Sequence, residues 1–296
     1  MRIDLSDEVS GAVHFDRPIV ALESTVIAQG LPHPQNIETA LRLEAIVREG
    51  GAIPATVAVL GGRIKAGLGR EEIEHLARSE SVRKASIRDL PIAIAGKLDC
   101  ATTVATTTFI ARKAGIRVFS TGGIGGVHRG SLPDISADLP QLAENPIIVV
   151  CSGAKAVLDL PATREWLETH GVPVIGWRCS EFPAFFSRSS GLGVDVRLEK
   201  ASDVAKIAEA RGELGLQQAL LVVNPVPEAD EIPRADAERL IADALAEATA
   251  KRITGKAITP FLLSELAAKS SGRTMKANIA LLESNARVAA EIAAAL

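Results

Sequence analysis

Three stretches of the chain carry residue types that do chemistry. Phe119 to Leu139 reads FSTGGIGGVHRGSLPDISADL: a short run from Ile116 to Phe119 feeds four glycines, then His128 and Arg129, then Asp134 and Asp138. Glycines let backbone N–H groups approach a ligand closely, because no Cβ intervenes. Thr121, His128 and Arg129 add side-chain donors, and the aspartates offer the hard oxygen ligands that Mg²⁺ or Mn²⁺ prefers. The loop therefore reads as an anion cradle beside a cation site, as a phosphorylated small molecule requires. A four-residue spacing would put Asp134 and Asp138 on one face of a helix, with Ser136 between them.

The second stretch is IIVVCSGAKAVLDL, which sets Lys155 after an apolar strand and a Ser-Gly turn. A helix beginning there would aim its positive end at the amine and disfavour the ammonium. An amine held neutral at a strand tip is a Schiff-base nucleophile. The third is IVALEST, where Glu23 ends an apolar strand; partial burial at the mouth of a sheet fits a carboxyl group for proton transfer. Each has an ordinary structural alternative. The glycines also make a surface turn, Asp134 also makes a helix N-cap, and Lys155 also makes a solvated lysine. The run GGIGG is not a dinucleotide fingerprint, because His128 occupies the third glycine position and HRGSLPD breaks a helix where one should open.

These residues need a scaffold. Ile19–Leu22, Ala55–Gly62, Ile147–Val150, Val174–Trp177 and Ala219–Val223 are short and apolar throughout, and amphipathic helices alternate with them. Strands apolar along their whole length are buried on both faces, so we expect a three-layer α/β/α sandwich around a largely parallel or mixed sheet. Ligands should gather at the strands' carboxyl ends. Between strands, Asn36 is a helix-cap candidate, RIKAGL from Arg63 is expected to be an exposed piece, and Pro91 to Gly96 is a further apolar run. In the C-terminal helix Leu281, Asn285, Val288 and Ile292 share a face, with Asn278 at the helix start one heptad before Asn285. A buried amide must be hydrogen-bonded, so one of these asparagines should cap backbone and Asn278 should reach a ligand. No repeat or linker divides residues 1–296, which are read as a single domain.

Composition excludes several classes. With a net charge of -3, no basic run, 3% aromatics and no Tyr, the chain lacks the basic stripe and stacking rings of nucleic-acid binders. Cys100, Cys151 and Cys179 are odd in number and widely spaced, which matches neither a zinc pattern nor a disulfide framework. No apolar run approaches the ~20 residues that span a bilayer, and the N-terminus lacks a signal-peptide core. The expectation is a soluble cytoplasmic protein with no nucleic-acid or membrane partner.

The blocks VALESTVIAQGLPHPQN, GGIGGVHRG, DISADL, VVCSGAK, PAFFSRSSG, NPVPE, TPFLL and MKANIALLESNA together resemble the pseudouridine-5'-phosphate glycosidase family, also called the indigoidine synthase A family. The resemblance implies a cytoplasmic homotrimer that reversibly splits pseudouridine 5'-phosphate into uracil and ribose 5-phosphate, with one Mn²⁺ per subunit. It implies Glu23 as proton donor, Lys155 as Schiff-base lysine and Asp134 as metal ligand. It also implies substrate contacts at Lys84, Val104 (through its backbone), Ser136, Ala137 and Asp138, with Asn278 reading uracil. The chain departs from the family pattern in three places: Gln29 stands where His is usual, SLP before Asp134 is short, and Ala257 stands where an acidic residue is common. The alternatives are another Schiff-base lyase or aldolase acting on a sugar phosphate, and a non-catalytic metabolite binder. A binder has no need of both Glu23 and Lys155.

Overall fold

A computed structural model describes residues 2–130, 134–253 and 258–296. The strands are β1 (Asp4–Leu5), β2 (Ile19–Glu23), β3 (Ile53–Leu60), β4 (Arg63–Ala66), β5 (Arg83–Ala85), β6 (Cys100–Thr102), β7 (Val118–Ser120) and β8 (Val127–His128). They continue with β9 (Ile148–Cys151), β10 (Leu158–Asp159), β11 (Val174–Trp177), β12 (Val196–Leu198) and β13 (Leu220–Val223).

Every residue of β2, β7, β9, β11 and β13 is buried, which requires cover on both faces. Each buried Val, Leu or Ile in them contributes about 1.5–3 kcal/mol relative to exposure. These five strands form the middle of a sheet ordered β1-β4-β3-β2-β7-β9-β13-β11-β12, with β6 also paired to β3 and β5 to β6. All pairings are parallel except β3 with β4 and β3 with β6. Helices flank the sheet: Gln35–Glu49 and Arg273–Ala294 pack on each other and on it, and Val104–Lys113 packs with Asp138–Glu144. The three-layer expectation holds. No described helix is long and apolar enough to cross a membrane.

Several local expectations fail for physical reasons. The RIKA piece is strand β4, with Ile64 and Ala66 buried on alternate positions against β3. Pro91 to Ala95 is helical, because proline is tolerated in a first helical turn. Asn36 lies inside its helix rather than capping it, and its buried amide donates to the carbonyls of Ile27 and Ala77. Asn278 likewise stands inside the helix that begins at Arg273.

Candidate active site

The parallel order β2-β7-β9 decides what meets. Leu22 pairs with Ser120, and Ser120 pairs with Val150, so Glu23, Thr121 and Cys151 emerge side by side at the carboxyl ends. Glu23 is only 7% exposed. Its carboxylate accepts hydrogen bonds from the hydroxyls of Thr25 and of Thr121, one on each oxygen. Ser24 holds the backbone beside it, donating to the Val57 carbonyl at 2.6 Å and accepting from the Thr102 N–H at 2.9 Å. Sequence reasoning assigned no role to Ser24 or Thr25, although two hydroxyls directly after a strand-tip carboxylate were a readable signal.

Lys155 arrives from β9 by a different route. No helix starts beside it: the chain runs through a turn into β10, and the next helix is Leu160–Thr169. The dipole expected to act on its amine is therefore absent. Position comes instead from the glycine loop, since Ile124 N–H donates to the Gly153 carbonyl and Lys155 N–H to the Ile124 carbonyl, both at 3.0 Å. Gly153 must be glycine here, with φ +81 and the Pro183 carbonyl packed where a Cβ would stand. The Lys155 amine is half-buried and makes no ion pair or hydrogen bond among the described residues.

The glycine loop differs from the expected anion cradle. A Cβ on Gly123 would lie 2.6 Å from the Phe185 ring, and Gly125 and Gly126 face Ser136, Asp138 and Thr163 in the same way. Its donors are largely spent inside the protein: Gly125 N–H on the Asp138 carboxylate, Val127 N–H on Thr163 and His128 N–H on the Asp134 carbonyl. These glycines are small so that neighbours can pack against them, and the loop acts as a rigid wall.

Asn285 braces that wall. Fully buried, it donates to the Thr121 carbonyl at 2.9 Å and accepts from Asn224 at 3.0 Å, while Ser152 bonds its amide. One side chain thus ties together the carboxyl ends of β7, β9 and β13, the backbone-capping fate expected for one of the two asparagines.

A two-lobed cleft results. The smaller lobe is walled by Gly122, Gly123, Phe185, Leu263 and Leu282, with Gln29 and Asn278 as its added polar groups. The larger, of about 460 Å³, is lined by Ser86, Arg88, Thr103, His128, Asp134 and Ser136, with Ala137 and Asp138 at its edge. Glu23, Thr25, Lys84 and Lys155 line both. Asp134 and Asp138 do not share a helix face, because the helix begins only at Asp138. Both Asp138 oxygens accept backbone N–H groups, from Ala105 at 2.8 Å and Gly125 at 2.7 Å. Val104 is buried, and its N–H, which opens the helix behind Thr103, takes no partner among the described residues, as the first N–H groups of a helix do. Thr121 meets Glu23 rather than the cleft. Arg129 lies elsewhere, its guanidinium donating to the Leu158 carbonyl at 3.1 Å beside a separate cavity of about 240 Å³.

Among the described residues no three His, Cys, Asp or Glu side chains gather into a metal cage. Asp134 is exposed, so a divalent ion would be held by its carboxylate with water and substrate oxygens completing the shell, which fits the habits of hard cations. Neither nearby thiol competes with Lys155 as a nucleophile: burial pushes Cys151 up to about 12 and Cys179 up to about 11. Residues Ser131–Pro133 and Ala257, two of the departures from the family pattern, lie outside the described residues.

Comparison with known proteins agrees with this architecture. The profile of indigoidine synthase A like proteins matches residues 8–295. A pseudouridine-5'-phosphate glycosidase of Caldanaerobacter subterraneus subsp. tengcongensis is 54% identical, covering 99% of this chain and 96% of its own length. One from Hahella chejuensis is 50% identical, over 99% and 97% respectively. The crystal structure of an indigoidine synthase A-like protein from Thermotoga maritima superposes with a TM-score of 0.91 at 43% identity, covering 99% of this chain and 95% of that one. The prealnumycin C-glycosynthase AlnA, solved in complex with ribulose 5-phosphate, gives a TM-score of 0.91 at 42% identity, covering 99% and 96%. The chain belongs to the indigoidine synthase A-like family.

Proposed function

We propose that this protein reversibly cleaves the C–C glycosidic bond of pseudouridine 5'-phosphate, giving uracil and ribose 5-phosphate. The observation that carries this reading is the placement of Glu23 and the uncommitted Lys155 amine on the wall shared by both lobes. A flat base suits the smaller, largely apolar lobe, and a ribose phosphate suits the larger polar one, which puts the bond between them at the junction.

The chemistry follows from the bond. Protonating a leaving heteroatom does not break carbon from carbon; an electron sink is needed. Glu23 gives a proton to O4' as C1'–O4' breaks, the electron pair being replaced at C1' from N1 through C6 and C5 of the base. Lys155 Nζ adds to C1', returns that pair to the ring and gives up a proton to the Glu23 carboxylate, which restores the acid for the next transfer. Protonation at C5 then lets the C1'–C5 pair re-form the C5–C6 double bond, while the nitrogen lone pair forms a C1'=Nζ iminium. Water hydrolyses the iminium to the aldehyde of ribose 5-phosphate and the free amine. These proton transfers face Glu23, whose two hydroxyl partners fix its orientation.

Lys84, His128, Ser136, Ala137 and the Val104 N–H would hold the sugar phosphate in the larger lobe, with Asp138 bracing its rim and Asn278 meeting the base in the smaller. Asp134 would hold the Mn²⁺, one per subunit, and the ion would offset phosphate charge. The family resemblance extends this reading to a cytoplasmic homotrimer, which light scattering tests.

The test is to incubate the protein with uracil, ribose 5-phosphate and Mn²⁺ and assay pseudouridine 5'-phosphate by mass spectrometry. Product that forms only with uracil separates this activity from an aldolase on ribose 5-phosphate. No product in either direction overturns it.

A further inference from the structure

Beside the smaller lobe lies an acceptor that no described residue satisfies. Gln29 sits on the π-helical turn Val26–Gly30, which follows Glu23 closely in the chain. Its Nε2 donates to the Val82 carbonyl at 3.2 Å. A carbonyl only accepts, so this bond fixes which end of the amide is which. Gln29 Oε1 is shut off from solvent and has no partner among the described residues. An acceptor left in that state is costly unless a ligand fills it. Turns of this π type recur at functional sites, where the extra residue redirects a side chain.

The other groups of the lobe narrow what Oε1 serves. Both Glu23 oxygens already accept hydroxyls, and Lys84 and Lys155 can only donate. Among the described residues the amide acceptors at the lobe are Gln29 Oε1 and Asn278 Oδ1, with the Thr25 hydroxyl, already donating to Glu23, the other neutral acceptor. Uracil carries two ring N–H groups, and with C5 turned to Lys155 both lie on the far side of the ring, flanking C2.

We propose that the Gln29 side chain turns its Oε1 into the lobe as the base enters, accepts a ring N–H of the pyrimidine and thereby selects uracil over bases that lack it. This rests on the function proposed above and adds the residue that sets its base specificity. Where the N–H read is N3–H, cytosine would present a bare lone pair to Oε1, acceptor against acceptor. A site built for an N–H rejects the analogue without it far more strongly than an apolar pocket rejects a change of size.

The experiment uses Gln29→Met, which keeps length and removes the acceptor, and Gln29→His, which restores one. In the synthesis direction, Gln29→Met should raise KM for uracil about tenfold, the equivalent of one hydrogen bond of ~1.4 kcal/mol. KM for ribose 5-phosphate should hold. Gln29→His should bind uracil well at pH 8, where imidazole accepts, and poorly at about pH 5.5, below the ordinary histidine value near 6.5. Unchanged uracil KM in Gln29→Met, an equal rise for both substrates, or a Gln29→His variant indifferent to pH would each overturn the assignment. Direct uracil binding by ligand-observed NMR reads the same contact without turnover, so an inactive wild type would sink the functional reading and leave this one still decided by binding. With 1-methyluracil and 3-methyluracil, loss of binding to one names the N–H involved, and full tolerance of both again overturns it.

Discussion

The two lobes of the cleft are built on opposite principles. The smaller is walled by apolar side chains and packed glycines, with few polar groups, most of them fixed. The larger is roomier and more polar, lined by residues from loops and short strands, with Asp134 exposed at its rim. One is a shaped slot that gains by excluding water; the other is a charged basin that tolerates it. The groups that react belong to neither alone, and this separates residues that make the bond from residues that hold a half-substrate.

Substitutions can break that separation or sharpen it. Lys155→Ala should have the largest effect, lowering kcat by about 10⁴-fold or more, because the amine that forms the iminium is lost. Wild-type protein reduced with borohydride in the presence of ribose 5-phosphate should gain a covalent mass on the Lys155 peptide, and the variant should gain none. Unchanged turnover in Lys155→Ala would remove the junction from the chemistry. Glu23→Gln should follow, with kcat down about 10²–10⁴-fold and both KM values nearly held. A rise confined to one KM would instead make Glu23 a resident of a single lobe.

Asp134→Asn acts on the basin only. It should raise KM for ribose 5-phosphate and weaken the response to added Mn²⁺ by about tenfold, the loss of one charged ligand, while KM for uracil stays put. Equal changes in both would mean the lobes are not independent.

The smallest expected effect lies outside both lobes. Glu44 is largely buried, and desolvation pushes its carboxyl above the usual glutamate range, opposed by a hydrogen bond from Thr56 at 2.6 Å. The folded state therefore binds this proton more tightly than the unfolded chain does, and stability falls as pH rises from the ordinary value of 4.5 through the raised one. Melting curves across that range should slope less in Glu44→Gln than in wild type, with turnover unaffected. A steeper slope in the variant would contradict the sign.

Much of the scaffold was legible because strand burial leaves a local trace. Ile19–Leu22 and Ala219–Val223 read as buried strands, since a strand covered on both faces admits few polar residues. Glu23 and Lys155 were legible as strand-tip chemistry, and the family resemblance gave them roles. What the glycines do was not legible. A glycine that admits a ligand and one that admits Phe185 or Thr163 look identical in sequence, because the difference lies in residues far along the chain. Arg129 misled for the same reason: its guanidinium is claimed by the Leu158 carbonyl, a partner that only the β8–β10 pairing brings near. Gln29 registered only as a departure from a pattern. Its free acceptor became visible once Val82 took the other end of the amide.

The brace formed by Asn285 has a consequence for the order in which the molecule assembles. Its bond to Thr121 spans 164 positions and its bond to Ser152 spans 133. Contacts so distant in sequence close only after the intervening chain has lost its freedom, which makes them slow and late to form. The carboxyl ends of β7, β9 and β13 should therefore be among the last parts of the fold to set, and the Lys155 amine meets a finished pocket only when they are tied.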